Sequence, residues 1–340
     1  MREVLDSAGL GAEAEQTLAH LGVTEAGNWE GTNVLNLQDG SWSQRPPGWE
    51  RARAALLARR ADRVRPGLDD KRLTSWNALM IAALAESGAS LREPRYLEAA
   101  SAGGEFLLEG MRDAEGRLLR SYNRGRAHLN AYLEDHAYLI EALLALYEAT
   151  FEPRWYEAAR EAAASMVERF GDQARGGFFT TSDDHEQLIA RRKDLDDHPI
   201  PSGNASAALG LLRLEALSGD RRWGEWAEGV LRLLAGPAEQ HPQALAYLLT
   251  AIDFHLSPTR EVALIGPATA GRNSIADLEG AVRSRYRPHM VLAGGLEGSA
   301  EPALLADRPA LENAPAAYVC ERFTCKAPVS TPEALRALLD

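Results

Sequence analysis

Apolar residues recur through the middle of this chain in paired segments of two different patterns. In "NALMIAALAESG" from Asn77, "HAYLIEALLALYEAT" from His136 and "NASAALGLLRLEALSGD" from Asn204, Ala and Leu fall on almost every helical face. That pattern predicts helices surrounded by protein. Each is followed by a more charged segment: "EPRYLEAA" from Glu93, "EPRWYEAA" from Glu152 and a weaker copy, "DRRWGEWA", from Asp220. Here the apolar residues keep helical spacing, with Glu and Arg between them, so one face is buried and one is wet. Pro94 and Pro153 suit the first turn of these second helices. From the start of each first segment to the start of its second, the offset is 16 residues in all three copies. The units lie 59 and 68 residues apart, which marks an internal repeat.

Inner helices alternating with outer ones around an axis describe a mainly α fold, a partial α/α toroid of helical hairpins. Further helices are predicted near residues 49–63 and 240–256. From about Arg260 the pattern changes. "EVALIG" and "HMVLAGG" read as buried strands and "AAYVCERFTCKAP" as a third, with "SIADLEGAVRSRY" and "TPEALRALL" as helices. The expected organisation is an N-terminal helical and loop segment over residues 1–45, the helical-hairpin portion over 46–258, and a small C-terminal α/β appendage over 259–340.

Composition acts by exclusion. The chain has 340 residues, 45% of them hydrophobic and 25% charged, as a soluble globular protein has. A formal charge of −12 argues against nucleic acid or an anionic membrane as partner. No apolar run approaches the ~20 residues of a membrane span, and the charged first residues do not form a secretory signal. Cys320 and Cys325 are the only cysteines. They are too few for a disulfide framework or a structural zinc site. On a continuous strand, five residues apart, they point to opposite faces, so a disulfide between them requires a turn. They read as small buried hydrophobes in a reduced, cytoplasmic setting.

The long connections carry the candidate chemistry. "EGRLLRSYNRGRAHLNAYLED" and "GGFFTTSDDHEQLIARRKDLDDHPIPSGN" contain β-prone runs, glycines and charges. They predict short hairpins, the second pairing residues 177–181 with 187–192. Both deliver the chain to starts of inner helices, so they gather at one end of the toroid, where loops this long are usually functional. Asn77, His136 and Asn204 are equivalent in the repeat and follow Trp76, Asp135 and Gly203. Ser75 and Ser202 are candidate N-caps. Free N–H groups at these helix starts suit a polyhydroxylated or anionic ligand. Asp69 and Asp70 precede the first inner helix, and Arg191 and Arg192 lie in the second long loop. No metal motif, P-loop or dinucleotide fingerprint is present, so no metal and no cofactor is expected.

Six blocks in order resemble one known family: "GNWEGTNVLNL", "DDKRLTSWNALMIAALA", "YLEDHAYLIEALLALYEATF", "GGFFTTSDDHEQLIARRKD", "PSGNASAALGLLRL" and "AYVCERFTCKAPV". It is the thioredoxin-domain-containing family related to spermatogenesis-associated proteins. The resemblance implies a toroid similar to six-hairpin glycosidases and N-acylglucosamine 2-epimerases, preceded by a thioredoxin-like domain. This chain contains no thioredoxin-like segment and shows three clear hairpins where a full toroid has six. It therefore reads as the C-terminal part of a longer protein. The partners implied are a small-molecule or glycan ligand and an upstream chain that carries the thioredoxin-like domain and the other half-toroid.

Two functions follow. The first is a carbohydrate-active module of sugar hydrolase or epimerase type. Asp135 is its expected acid/base, His136 its partner, and Asp69 or Asp70 the second carboxylate. Trp76 would stack on a sugar, Asn77 and Asn204 would bind hydroxyls, and Arg191 or Arg192 would bind a carboxylate. The alternative is a non-catalytic ligand-binding or scaffold module that serves the thioredoxin-like domain.

Overall fold

The computed structural model describes residues 1–37, 43–186 and 189–340. The chain forms two compact units, Met1–Asp69 and Asp70–Asp340. In the first, helices α1 (Arg2–Ser7), α2 (Ala12–His20) and α3 (Trp49–Ala61) enclose a small core of Leu5, Leu10, Ala14, Leu18 and Ala52. The helix expected near residues 49–63 is thus present, and it groups with the N-terminal segment. All other elements belong to the second unit.

That unit opens with strand β1 (Arg72–Leu73) and helix α4 (Thr74–Leu91), followed by α5 (Pro94–Glu105). Strands β2 (Leu119–Asn123) and β3 (Arg126–Asn130) form an antiparallel hairpin, with Ser121 opposite His128, and β1 joins it on the other edge of β2. Arg124 and Gly125 take up the positive φ of its two-residue turn. The helical hairpins α6 (Leu133–Thr150) with α7 (Pro153–Phe170) and α8 (Gly203–Ser218) with α9 (Arg221–Gln240) follow, then α10 (Ala246–Leu256).

The inner helices stand side by side, α6 between α4 and α8, and α10 beyond α8. Each outer helix packs behind its own inner partner. This is the arrangement of a partial α/α toroid. Burial follows the sequence pattern: every residue of α6 except Glu134 and Glu148 is buried. Inner helices α4, α6 and α8 each end on a left-handed residue, Arg92, Phe151 or Gly219, whose N–H bonds back to Gly88, Tyr147 or Glu215. An Asp or Glu and then the outer helix follow, which is the structural basis of the constant offset.

The C-terminal segment is a four-stranded sheet in the order β5-β4-β6-β7. Strands β4 (Arg260–Gly266) and β5 (Met290–Leu296) are parallel, with α11 (Ala276–Arg283) between them in the chain. Strand β6 (Ala316–Glu321) pairs antiparallel with β4 and with β7 (Thr324–Cys325), and α12 (Pro332–Leu339) closes the chain. Alternation along the strands divides the side chains between two cores. Val262, Leu264, Leu292 and Val319 pack with Leu278 of α11 and Leu335 of α12. Ala263, Ile265, Val291 and Tyr318 join the core of the helical hairpins. The sheet is therefore continuous with the hairpin core through one face.

Two expectations need correction. The "AAYVCERFTCKAP" run is a hairpin and not one strand, because Arg322 and Phe323 both take positive φ and fold it back. Cys320 and Cys325 become cross-strand partners, with Cα atoms 3.8 Å apart, and they form a disulfide. In the second long loop, Thr180 N–H donates to Arg192 O at 2.8 Å, but no strand forms over residues 177–181. Gln187 and Leu188 of the expected hairpin lie outside the described residues.

Candidate functional site

The starts of α4, α6 and α8 do meet at one end, held by backbone and side-chain contacts. Asp135 accepts from Ser75 N at 3.0 Å, which ties α4 to α6. Leu133 N donates to Thr180 O at 3.0 Å, and a Cβ on Gly203 would stand 3.2 Å from Glu134 N, so α8 approaches α6 just as closely.

Asp135 is 0% exposed. Besides Ser75 N it accepts from Tyr132 N and from Arg120 Nη1, both at 2.9 Å. It is the N3 residue of a capping box whose N-cap is Tyr132. Burial raises its pKa, opposed by the Arg120 charge. Both oxygens serve backbone N–H groups, and the carboxyl does not face solvent. In this placement Asp135 clamps the start of α4 to the start of α6.

His136 is also buried, its Nδ1 3.2 Å from Tyr132 O and its ring against Phe170. Desolvation pulls its pKa down to about 4, helped by the charges of Arg169, Arg112 and Arg117. The imidazole is thus held neutral and away from solvent. Asn204 is fully buried and clamps the loop before it: Oδ1 accepts from Phe178 N, and Nδ2 donates to Phe178 O and Asp194 O. Asn77 Nδ2 donates to Leu73 O. Arg191 donates to the carbonyls of Arg169 and Thr181 and lies 4.2 Å over the Phe179 ring. Arg192 is exposed and lends its carbonyl to Thr180. Asp69 ends the first unit, and Asp70 opens the second, exposed, two residues ahead of β1.

Trp76 is where the sequence placed it, 61% exposed at the start of α4. Glu134, which sequence reasoning passed over for its neighbour, is a partly accessible carboxylate at this end. Its side chain is 24% exposed and lies 2.9 Å from Arg120 Nη1. Arg120 thus bridges Glu134 and Asp135, and its guanidinium stands 4.5 Å above the Tyr132 ring. The ring of His185 lies 5.8 Å from that of Tyr132. No sequence signal separates the two carboxyls, because the N-cap is Tyr132 and not the Ser or Thr that announces a capping box.

Beside this cluster a cavity of about 500 Å³ is lined by Asp113, Arg117, Ser165, Arg169 and Asp184. Arg117 and Arg169 both engage Asp184, whose carboxyl the Arg117 hydrogen bond holds down at about 2. Among the described residues no group of three or more His, Cys, Asp or Glu is placed to hold a metal ion. No described helix is long and apolar enough to cross a membrane.

No protein-family model matches the chain. Its homologues include spermatogenesis-associated protein 20 from Homo sapiens, 32% identical over 299 residues that make up 84% of this chain and 38% of that protein. The protein of the same name from Rattus norvegicus is 29% identical over 95% of this chain and 45% of its own length. The chain thus spans less than half of these relatives. Among solved structures, cellobiose 2-epimerase from Bacillus thermoamylovorans is similar with a TM-score of 0.41 and 14% identity, over 48% of this chain and 44% of that one. D-mannose isomerase gives a TM-score of 0.43 at 12% identity, over 50% of this chain and 46% of that one.

Proposed function

We propose that the end of the unit at which α4, α6 and α8 begin is the ligand site of a carbohydrate-active module, of sugar hydrolase or epimerase type, with Glu134 as its working carboxyl. The class of ligand comes from the resemblance carried by the six sequence blocks. The observation that carries the assignment is the contrast along α6: Asp135 is sealed and saturated, whereas Glu134 emerges beside it, held by Arg120. In epimerisation next to a carbonyl, Glu134 would take or return the proton; in hydrolysis it would protonate the leaving oxygen or face the water. Trp76 offers an aromatic face to a sugar ring at the neighbouring helix start.

A second reading, a non-catalytic ligand-binding or scaffold module, is favoured by one observation. Asp135, His136 and Asn204 spend their hydrogen bonds on backbone groups. The test is turnover and binding across a panel of mono- and disaccharides for the chain, Glu134→Gln and Trp76→Ala. The first reading expects Glu134→Gln to lose about 10²-fold or more in turnover, with its melting temperature unchanged. Turnover insensitive to Glu134→Gln removes the assignment. Binding weakened by Trp76→Ala, with turnover of none of the sugars, selects the second reading.

A further inference from the structure

The cysteine hairpin is placed for chemistry that a structural crosslink does not need. Cys320 is 1% exposed, while Cys325 is only half-buried. Arg308 Nη2 lies 3.2 Å from Cys325 Sγ and 3.6 Å from Cys320 Sγ. A disulfide sulfur is a poor acceptor, so the guanidinium points a strong donor at two atoms that use it weakly. Arg308 Nε is buried and has no hydrogen-bond partner among the described residues. Burial also lowers the pKa of Arg308, with Glu261 opposing the shift. Arg308 Nη2 gains a strong acceptor when a thiolate appears beside it.

The turn has ties besides the disulfide. Glu261, buried on β4 opposite Cys320, accepts from Phe323 N at 2.7 Å, and β6 pairs with β4. The tip also reaches the helical hairpins: a Cβ on Gly219, at the turn between α8 and α9, would stand 3.1 Å from the Phe323 ring.

We propose that Cys320 and Cys325 form a thiol–disulfide exchange site, with a dithiol as co-reactant and Arg308 stabilising the sulfur that leaves. One thiolate of the dithiol attacks Sγ of Cys325, the less buried of the two cysteines. The Cys320–Cys325 bond breaks, a mixed disulfide forms on Cys325, and Cys320 Sγ departs as a thiolate beside Arg308. The second thiol of the co-reactant then attacks the mixed disulfide and releases Cys325. The protein disulfide is reduced by two electrons, the dithiol is oxidised to its disulfide, and its two protons pass to the two cysteines. The reverse sequence reoxidises the hairpin.

The test uses the folded chain with dithiothreitol in one arm and a CxxC protein dithiol in the other, each followed by alkylation and intact-mass readout. Reduction in either arm, with the circular dichroism of the fold retained, supports the site, and the faster arm shows whether the co-reactant is small or protein-borne. The reduced protein is then alkylated across a pH series. Arg308→Gln should slow alkylation near neutral pH by about tenfold and move its pH midpoint upward, and Arg308→Lys should restore both. Resistance to both dithiols while folded, or identical alkylation profiles for wild type and Arg308→Gln, overturns the proposal.

Discussion

Asp135 Oδ1 accepts the backbone N–H of Ser75 at 3.0 Å, across sixty residues of chain. This bond ties the start of α4 to the start of α6 and engages one oxygen of the Asp135 carboxyl. Asp135→Ala removes the acceptor of two backbone donors and of Arg120. It should cost about 2–4 kcal/mol, read from urea unfolding. Asp135→Asn keeps one acceptor and should cost less. Sugar turnover per folded molecule should survive in Asp135→Asn and fail in Glu134→Gln. The opposite pattern would return the working role to Asp135.

His136 makes stability depend on pH. It titrates at about 4 in the folded chain against 6.5 when unperturbed, so between these values the unfolded chain binds the extra proton. Its contribution is complete above pH 6.5 and drains away as the pH falls towards 4, by about 3 kcal/mol in all. His136→Gln should flatten that slope. The stability difference between wild type and variant, measured by urea titration at pH 7, 5.5 and 4.5, should shrink as the pH falls. Asp135, Glu141 and Glu148 have raised pKa values and act in the opposite sense, but they do so in both proteins.

Glu141 is buried in the middle of α6, where it accepts from the Ser206 hydroxyl of α8 and from Tyr247 Oη of α10 at 2.6 Å. Glu141→Gln preserves an acceptor and should cost under about 1.5 kcal/mol. Glu141→Leu strands the buried Ser206 hydroxyl and the part-buried Tyr247 hydroxyl and should cost about 2–4 kcal/mol. Equal melting temperatures for the two variants would show that these three inner helices do not rely on the network.

Gly294 of β5 faces the Phe151 ring so closely that a Cβ would stand 2.5 Å from it. Gly294→Ala should cost about 1–3 kcal/mol, and Phe151→Leu in the same chain should recover part of the loss. Thermal melting of the single and double variants measures the coupling, which is the contact of the sheet with the end of α6.

The repeat was legible because helix burial is a local, periodic property. Ala and Leu on every face of the 136–150 segment require neighbours all round, and α4, α7 and α8 supply them. The spacing of 16 residues survives because the same left-handed turn ends α4, α6 and α8. The site was legible only in part. That polar residues cluster at helix starts follows from sequence. Which of two adjacent carboxyls is sealed depends on where Ser75 and Arg120 arrive, and both come from other elements. The cysteine hairpin escaped for a related reason. Arg322 and Phe323 carry none of the Asn-Gly chemistry that announces such a turn, so strand pairing to β4 and the Glu261 cap impose it.

The sequence by itself determined the helical hairpins, their order and the buried strands after residue 260, because each follows from hydrophobic period and turn residues within a few dozen positions. Only the tertiary structure decided that Asp135 is a clamp, that Glu134 is accessible, and that Arg308 stands over two joined sulfurs. Desolvation and hydrogen-bond saturation depend on groups brought together from distant parts of the chain.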